Sequence, residues 1–247
     1  MRGKPYLKNL LATLFWVAAW YLLAFFVGNP LLLPTPWQVA LRLWELGQTS
    51  AFWQITLYSI GRILLGSVLA VILAVILAVL TTASSLIAAL LSPLMTAMQA
   101  TPVASFAILV LIWMDRDWVP VLICGMMVLP VVWSNVCTGI RQTDLQLREM
   151  AKVYRLNPWR RLRRIWIPSV LPYFRAACAS ALGLGWKAGI AAEVLTVPKA
   201  SVGRMISEAK LYLMTEDLFA WTLAVVLLSL LLQRCVLALL KGREKDA

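Results

Sequence analysis

The sequence predicts an all-α membrane protein that crosses the bilayer six times. Apolar residues make up 62% of the 247 residues, and charged residues make up only 14%. A soluble domain is close to half apolar and about a quarter charged. A helix that spans a bilayer needs about 20 apolar residues, and the chain contains six apolar runs of about that length. Residues 1–247 are therefore interpreted as one transmembrane domain.

The apolar runs follow one another with short polar breaks. The first run, Leu10–Val27, has no small-residue cleavage site, so it is interpreted as a retained span and not as a signal peptide. A Pro-rich segment at residues 33–36 then breaks the chain, and residues 37–48 are expected to form a short interfacial helix. The other five spans are predicted at residues 55–80, 86–114, 119–140, 168–195 and 218–240.

Basic residues are concentrated on one side of the predicted membrane. Residues 141–164 alone carry eight Lys and Arg residues, and the two terminal tails carry more. Because cytoplasmic loops are enriched in Lys and Arg, this side is predicted to be cytoplasmic. An even number of spans then places both termini in the cytoplasm, with the protein in the plasma membrane. The net charge of +12 is attributed to loops near anionic lipid, and nucleic acid is not expected as a partner.

The composition argues against an enzyme. The chain has no histidine, which excludes His-based catalytic triads and His metal sites. Its four cysteines lie inside apolar runs without a CxxC pair, so they are interpreted as packing residues and no metal site is predicted. No GxxxxGK[ST] motif occurs, so the chain is not expected to bind ATP or another cofactor.

A short amphipathic helix is predicted between the fourth and fifth spans. Four apolar residues recur there at i, i+3, i+4 and i+7, which places them on one face of a helix. On periodicity alone, an ordinary positive-inside loop with a surface helix is an equal alternative. The four residues are Leu147, Met150, Ala151 and Tyr154.

A second, basic helix is predicted directly after the first. Asn157 is suited to cap a helix, and Pro158 is favoured at the first helical position. This helix is expected to run over residues 158–165 and to end before Pro168, because the residue before a proline disfavours helical backbone.

The segment resembles a motif of a known family. Glu149-Met150-Ala151, with Asn157 eight residues after the glutamate, resembles the EAA motif of the permease subunits of binding-protein-dependent ABC importers. Residues 30–240 are similar to the branch that imports nitrate, sulfonates, taurine and related small molecules. The resemblance implies a type I ABC importer permease fold with a cytoplasmic coupling segment at about residues 141–167.

The resemblance implies that this segment docks on a separate ATPase subunit, which binds the ATP. Glu149 is expected either to meet a basic group of the ATPase or to form a local pair with Lys152. The other implied partners are a solute-binding protein outside the membrane and a second permease copy, most simply in a homodimer, although a different second permease stays open. The residues implied to contact the ATPase are Glu149, Met150, Ala151, Arg155, Leu156, Asn157 and Pro158.

The chain departs from the motif at two positions. Met150 replaces its second alanine, and Arg155 replaces the glycine expected six residues after the glutamate. Glycine is favoured where a helix ends because it adopts a positive φ without steric cost. We expect Asn157 to be extended and to cap the second helix, so a strained turn is predicted at Arg155 or Leu156.

Polar residues inside the spans are candidates for the translocation pathway. The third span contains two prolines, Pro93 and Pro102, and the carbonyl that Pro102 frees is tolerated only where protein or water satisfies it. Lys187 is expected to face the pathway, to pair across a dimer or to extend toward the membrane surface. Glu193 is expected near the outer end of its span. The candidate pathway residues are Gln99, Thr101, Pro102, Ser105, Lys187 and Glu193.

Small residues recur every four positions in two spans. Ala70, Ala74 and Ala78 form one set, and Gly185 and Gly189 form another. Small residues let helices approach closely in a membrane, so packing is the main interpretation and a sliding gate surface is the alternative.

Two other transporter classes stay open at this point. The transmembrane coupling subunit of a vitamin importer also drives transport through cytoplasmic helices, but it would lack the context of the Pro-rich segment and Glu193. An ion-coupled secondary transporter would show internal repeats and several intramembrane carboxylates, whereas the predicted spans contain only Glu193. The sequence therefore favours an ATP-driven importer of a small solute, which is anionic if Lys187 faces the pathway.

Overall fold

The computed structural model describes the backbone of residues 4–241 and the side chains of residues 10–236 and 238. Every regular element in this part of the chain is helical, as predicted. The helices are α1 (Lys4–Val27), α2 (Pro36–Gly47), α3 (Ser50–Ala83), α4 (Ser85–Ala100), α5 (Val103–Val110), α6 (Val119–Arg141), α7 (Leu145–Val153), α8 (Pro158–Arg161), α9 (Ile167–Thr196), α10 (Val202–Leu211) and α11 (Thr215–Lys241).

Among the described residues, five helical segments are long and apolar enough to cross a bilayer. A sixth crossing exists only if α4 and α5 count as one broken span, because the two helices are bent by 102° at Thr101 and Pro102. The third span, residues 86–114, was predicted with interruptions at Pro93 and Pro102; the interruption at Pro102 is confirmed, and the one at Pro93 was wrong. Pro102 lacks an N–H group and pushes Thr101 out of the helical region. Pro93, in contrast, lies inside α4 without ending it.

The short helix predicted at residues 37–48 is confirmed as α2. Thr35 and Gln38 form a reciprocal capping box, in which the Thr35 N–H donates to Gln38 Oε1 over 2.8 Å. Pro36 occupies the first turn, where its missing N–H group costs nothing. Val39 faces the protein, while the exposed Trp37 points away from the core. Trp44 is exposed as well, and tryptophan is enriched where membrane meets water, so the position of α2 at the membrane surface stays a prediction.

Three long helices, α3, α6 and α9, form the core. A Cβ atom added to Gly185 would lie 2.8 Å from Val128 Cγ2, and one added to Gly189 would lie 2.6 Å from Ile63 Cγ1. These positions therefore need glycine because the helices cross at very short distance. The stripe of Ala70, Ala74 and Ala78 is buried along α3. Packing, the main interpretation of these small residues, is confirmed.

The bundle has two ends with different architecture. We call the end where α6 leads into α7 the α7 end, and the opposite end, where α9 leads into α10, the α10 end. At the α7 end, Trp133 Nε1 donates to Thr81 Oγ1 over 3.0 Å, which joins α6 to α3. α3 has 34 residues and is about 50 Å long, so it reaches from one end to the other.

Candidate coupling and translocation sites

The first candidate site is α7, the helix of the EAA-like segment. Asp144 caps it, since its side chain accepts from the Gln146 N–H over 2.8 Å. On the predicted apolar face only Ala151 is buried, with 3% of its surface exposed, whereas Tyr154 is 73% exposed. Leu147 and Met150 are also exposed. The chain therefore covers one residue of this face and leaves the rest of the face open.

The turn after α7 follows the prediction. Arg155 has a φ of 46°, the left-handed region that favours glycine. The Leu156 N–H donates to the Ala151 carbonyl over 3.0 Å, and the Arg155 N–H donates to the Lys152 carbonyl over 3.1 Å. This pair of bonds is a Schellman motif, which normally places glycine where Arg155 lies. The strained turn at Arg155 is confirmed.

Asn157 also behaves as predicted. Its backbone is extended, with φ −53° and ψ 139°, and its Oδ1 accepts from the Trp159 N–H over 3.2 Å. Pro158 is the first residue of α8. The Schellman turn and the Asn157 cap together separate α7 from α8 within a few residues, so α7 is a distinct short helix.

The predicted end of the basic helix before Pro168 was wrong. α8 passes through one π-helical turn, Leu162–Trp166, directly into α9, so a continuous helical segment runs over Pro158–Thr196. In this turn the Ile167 N–H donates to the Leu162 carbonyl, five residues back. A proline ring normally clashes with the carbonyl four residues before it, and the widened turn changes that spacing. α8 is therefore continuous with a membrane-spanning helix, and α7 precedes it across the turn at residues 154–157.

Glu149 is exposed on α7, and its carboxylate has no ion pair within the described part of the chain. The alternative of a local pair with Lys152 is therefore not realised in this structure. A carboxylate without a local partner is available to a basic group on another protein.

The second candidate site is the bend between α4 and α5. Thr101 Oγ1 donates to the Ala97 carbonyl over 2.7 Å, and Pro102 lies just before the first residue of α5. Gln99 and Ser105 flank the bend and are exposed. The structure therefore brings all four predicted residues of this span to one break in the helix.

Lys187 lies on the open face of α9. The neighbouring Ala188 is buried against Ala107 of α5 in one apolar cluster, but Lys187 itself is exposed. It has no ion pair with any described residue. The same face of α9 carries the exposed residues Ser180, Leu184 and Ala191. A single chain therefore leaves this charge uncovered within an apolar span.

Glu193 lies in the last turn of α9, at the α10 end, and its side chain is fully buried. Its Oε2 accepts from Ser59 Oγ over 2.8 Å and from the Gly203 N–H over 3.1 Å. Its Oε1 lies 3.7 Å from the Arg62 guanidinium. The carboxylate thus holds α3, α9 and α10 together, and it is not exposed to a pathway in this conformation.

Arg62 is the centre of a wider network that sequence reasoning missed. Its guanidinium lies 3.2 Å from Asp117 Oδ1 and donates to the Lys199 carbonyl over 2.7 Å. Asp117 Oδ1 also accepts from the Lys199 N–H over 2.8 Å. The available signal was the presence of Arg62 and Glu193 as opposite charges in two apolar runs, each near the same end of its span.

A close approach fixes this network. A Cβ atom added to Gly203 would lie 2.3 Å from Glu193 Cβ, so only glycine allows the backbone N–H to reach the carboxylate. The Val202 N–H donates to Ser59 Oγ over 2.9 Å. The start of α10 is therefore bound to the carboxylate of Glu193 through Gly203 and to the hydroxyl of Ser59 through Val202.

Comparison with known protein families agrees with the predicted membrane transporter. Residues 70–242 match the family described as the inner membrane component of binding-protein-dependent transport systems. This match includes α6–α11, with both the coupling segment and Glu193.

Three named relatives span most of this chain. It is 26% identical to the putative aliphatic sulfonates transport permease protein of Bacillus subtilis (strain 168), over 89% of this chain and 82% of the relative. It is 30% identical to the corresponding protein of Escherichia coli (strain K12), over 87% and 81%. It is also 30% identical to the riboflavin transport system permease protein of Chloroflexus aurantiacus, over 81% and 75%.

Proposed function

The chain belongs to the family of inner membrane components of binding-protein-dependent transport systems, and from this premise we propose how it works: it moves a small solute inward, driven by an ATPase that α7 contacts. The family is a transporter family, and its members are the multi-pass permease subunits of ABC importers. An ATPase and a solute-binding protein are therefore its partners. The contact through α7, the orientation and the homodimer are the parts that we propose.

The observation that carries the coupling proposal is the open face of α7. Tyr154 and Val153 are 73% and 79% exposed, and the Glu149 carboxylate lacks a local partner. Exposed apolar side chains next to an unpaired charge are typical of a protein–protein contact. Because α8 and the π-helical turn run on into α9, a movement of α7 is transmitted to a membrane-spanning helix.

The test of coupling is a charge reversal on α7. Glu149→Lys should leave the protein in the membrane but abolish the stimulation of ATPase activity by the loaded solute-binding protein in the reconstituted complex. Lys152→Gln is the matched control on the same helix, and we expect it to retain most of the stimulation. Deletion of residues 146–157 should uncouple the complex completely. Normal stimulation in the deletion variant would contradict the coupling role.

Two permease copies complete the proposed complex. An ABC ATPase acts as a pair of subunits, and one chain offers one α7, so a homodimer of this chain is the simplest assembly. The uncovered face of α9, with Ser180, Leu184 and Ala191, is available for the second copy or for the pathway. We place the α7 end and both termini in the cytoplasm because Lys and Arg are concentrated there.

The solute is proposed to be a small anion. Lys187 is exposed on α9 without a carboxylate partner, and an ammonium in an apolar span is retained where it has a function. The sulfonate permeases among the relatives agree with an anionic solute. Gln99, Thr101, Pro102 and Ser105 at the α4–α5 bend are the other proposed pathway residues, whereas Glu193 is proposed to position α10.

Removal of the Lys187 charge tests the choice of solute. Lys187→Met should reduce uptake of a sulfonate into proteoliposomes by about tenfold, because hydrogen bonds to charged groups are among the stronger ones. Lys187→Arg keeps the charge and should restore most of the uptake. The riboflavin permease among the relatives favours a second candidate, a vitamin-sized solute. Riboflavin uptake that is unaffected by Lys187→Met, with no sulfonate uptake by the wild type, would support that candidate.

A further inference from the structure

An apolar cavity of about 630 Å³ opens at the α7 end of the bundle. It lies between the last turns of α3 and α6 and the helical segment that joins α8 to α9. Its volume is in the range of small-molecule binding pockets. The residues that form its wall include Val79, Ala83, Val136, Ile140, Trp166 and Phe174.

Two arginines lie beside the same wall. The guanidinium carbon of Arg148 lies 5.3 Å from the centre of the Trp166 ring, and that of Arg161 lies 5.9 Å from it. Tryptophan is enriched where membrane meets water, and a guanidinium within about 6 Å of its ring is attracted to the ring face. The apolar cavity and a pair of positive charges therefore share one side chain, Trp166.

Arg148 and Arg161, the two arginines beside the cavity, have no carboxylate partner among the described residues. Arg161 Nε is buried and has no hydrogen-bond partner. None of the ion pairs of the described residues involves Arg148, Arg160, Arg161, Arg163 or Arg164. A buried donor without a partner is unfavourable, and two neighbouring cations repel each other. An anion bound at this point would relieve both effects.

We propose that an anionic phospholipid of the leaflet at the α7 end binds here, with an acyl chain in the cavity and its phosphate against Arg148 and Arg161. The apolar wall explains why the ligand needs a hydrocarbon chain, and the arginines explain why it needs a negative head group. Basic pockets between membrane helices on the cytoplasmic side are known to suit anionic head groups. A free anion would leave the cavity without an occupant, and a neutral lipid would leave the arginines unbalanced.

The position of the site links the lipid to the coupling segment. Leu162 and Trp166 belong to both the cavity wall and the π-helical turn that joins α8 to α9. Arg148 lies on α7 itself. A bound lipid therefore contacts α3, α6 and α9 through its acyl chain and α7 through its phosphate, and it holds the coupling segment against the bundle.

Lipid titration followed by native mass spectrometry tests the proposal on the full-length chain, purified in neutral detergent and stripped of lipid. The probes are phosphatidylglycerol and phosphatidylcholine with identical acyl chains. We expect the first phosphatidylglycerol to bind about tenfold more tightly than phosphatidylcholine. Arg161→Gln should reduce phosphatidylglycerol affinity about fivefold, the effect of one arginine near a lipid surface, while Arg161→Lys should retain most of it.

Two further variants separate the parts of the site. Arg116→Gln is the matched control, because Arg116 is an exposed arginine in the turn between α5 and α6 at the α10 end, and it should leave lipid binding unchanged. Ala83→Trp fills the cavity without altering the arginines. It should weaken the binding of both lipids, and inorganic phosphate at millimolar concentration should not compete with either.

Three outcomes would overturn the proposal. Equal affinity for the two lipids would show that the arginines do not distinguish an anionic head group from a neutral one. Full competition by inorganic phosphate, with no effect of Ala83→Trp, would identify a site for a free anion. If Arg161→Gln leaves lipid binding intact but weakens assembly with the ATPase, the arginines belong to the protein interface. If the melting temperature of Arg161→Gln in phosphatidylcholine falls below that of the wild type, Arg148→Gln takes its place as the variant that removes one positive charge from the site.

Discussion

The α10 end and the α7 end both carry charges close to apolar helices, but the two ends differ in how these charges are paired. At the α10 end, Arg62 is paired with Asp117 and Glu193 inside the chain, and the backbones of Lys199 and Gly203 complete the network. At the α7 end, the arginines of residues 148–164 have no ion pair with a described carboxylate, and the apolar face of α7 stays largely exposed.

The difference separates charges that stabilise the fold from charges that are available to a partner. A buried charge is retained in a fold only where other groups satisfy it. At the α10 end most of this is supplied within one chain: Glu193 Oε2 accepts two hydrogen bonds, and the buried Oε1 has no hydrogen bond but lies 3.7 Å from the Arg62 guanidinium. At the α7 end, in contrast, we propose that the exposed apolar side chains and the arginines have partners from outside the chain: an ATPase on α7 and a lipid beside Trp166. Substitutions at the α10 end should therefore change stability, while most of those at the α7 end should change binding.

The largest effect is expected from the removal of the Glu193 carboxylate. Glu193→Ala leaves the Arg62 guanidinium, the Ser59 hydroxyl and the Gly203 N–H without their shared partner. Loss of one member of a buried ion pair costs about 3–5 kcal/mol, so the free energy of unfolding should fall by about that amount. Unfolding in mixed micelles, followed by circular dichroism, measures it.

The control for this prediction is an exposed ion pair at the same end. Arg204 and Glu208 are paired at 2.6 Å, but both side chains are well exposed to their surroundings. Pairs of this kind contribute about 0–1 kcal/mol, so Glu208→Gln should change stability little. If both variants lose the same free energy of unfolding, the buried network contributes no more to stability than the exposed pair does.

The next largest effect is expected at Gly203. The added methyl group of Gly203→Ala would overlap Glu193, where a Cβ would lie 2.3 Å from Glu193 Cβ. Overpacking of this kind costs about 1–3 kcal/mol. Gly61→Ala in α3 is the matched control, because nothing lies within 4 Å of the added atom. That variant should instead gain up to about 1 kcal/mol of stability from its better helix propensity.

The sequence predicted local structure better than tertiary contacts. The cap at Asn157 and the strained turn at Arg155 follow from steric rules for single residues, and both were confirmed. The effect of Pro168 was predicted from the same kind of rule and was wrong. The π-helical turn Leu162–Trp166 accommodates that proline by a change of hydrogen-bond register, which no local propensity signals.

The candidate site was predicted only in part for a related reason. Glu193 and Lys187 are both charged residues in one apolar run, so the sequence treats them alike. The structure separates them, because Glu193 faces α3 and α10 while Lys187 lies on a face of α9 that the described residues leave exposed. The partner of Glu193, Arg62, is 131 positions away in the sequence. Only the packing of α3 against α9 brings these two charges together.

The smallest effect is expected at the turn after α7, where Arg155 adopts a φ of 46°. Left-handed backbone costs a residue with a Cβ atom roughly 1–2 kcal/mol, and the greater freedom of glycine in the unfolded chain offsets part of the gain from its replacement. Arg155→Gly should therefore stabilise the turn by about 1 kcal/mol. Local opening of α7 should then become rarer, and its backbone amides should exchange about fivefold more slowly with solvent deuterium.

Lys152→Gly is the matched control, since it introduces the same glycine three residues earlier, inside α7. A helix interior gains nothing from positive φ, and glycine there costs about 1 kcal/mol relative to alanine, so amide exchange in α7 should accelerate. If Arg155→Gly instead accelerates exchange, the guanidinium of Arg155 stabilises α7 by more than its backbone strain costs. The turn at the α7 end would then be stabilised by a side-chain contact within the chain, as the α10 end is. The two ends would differ less than their ion pairs indicate.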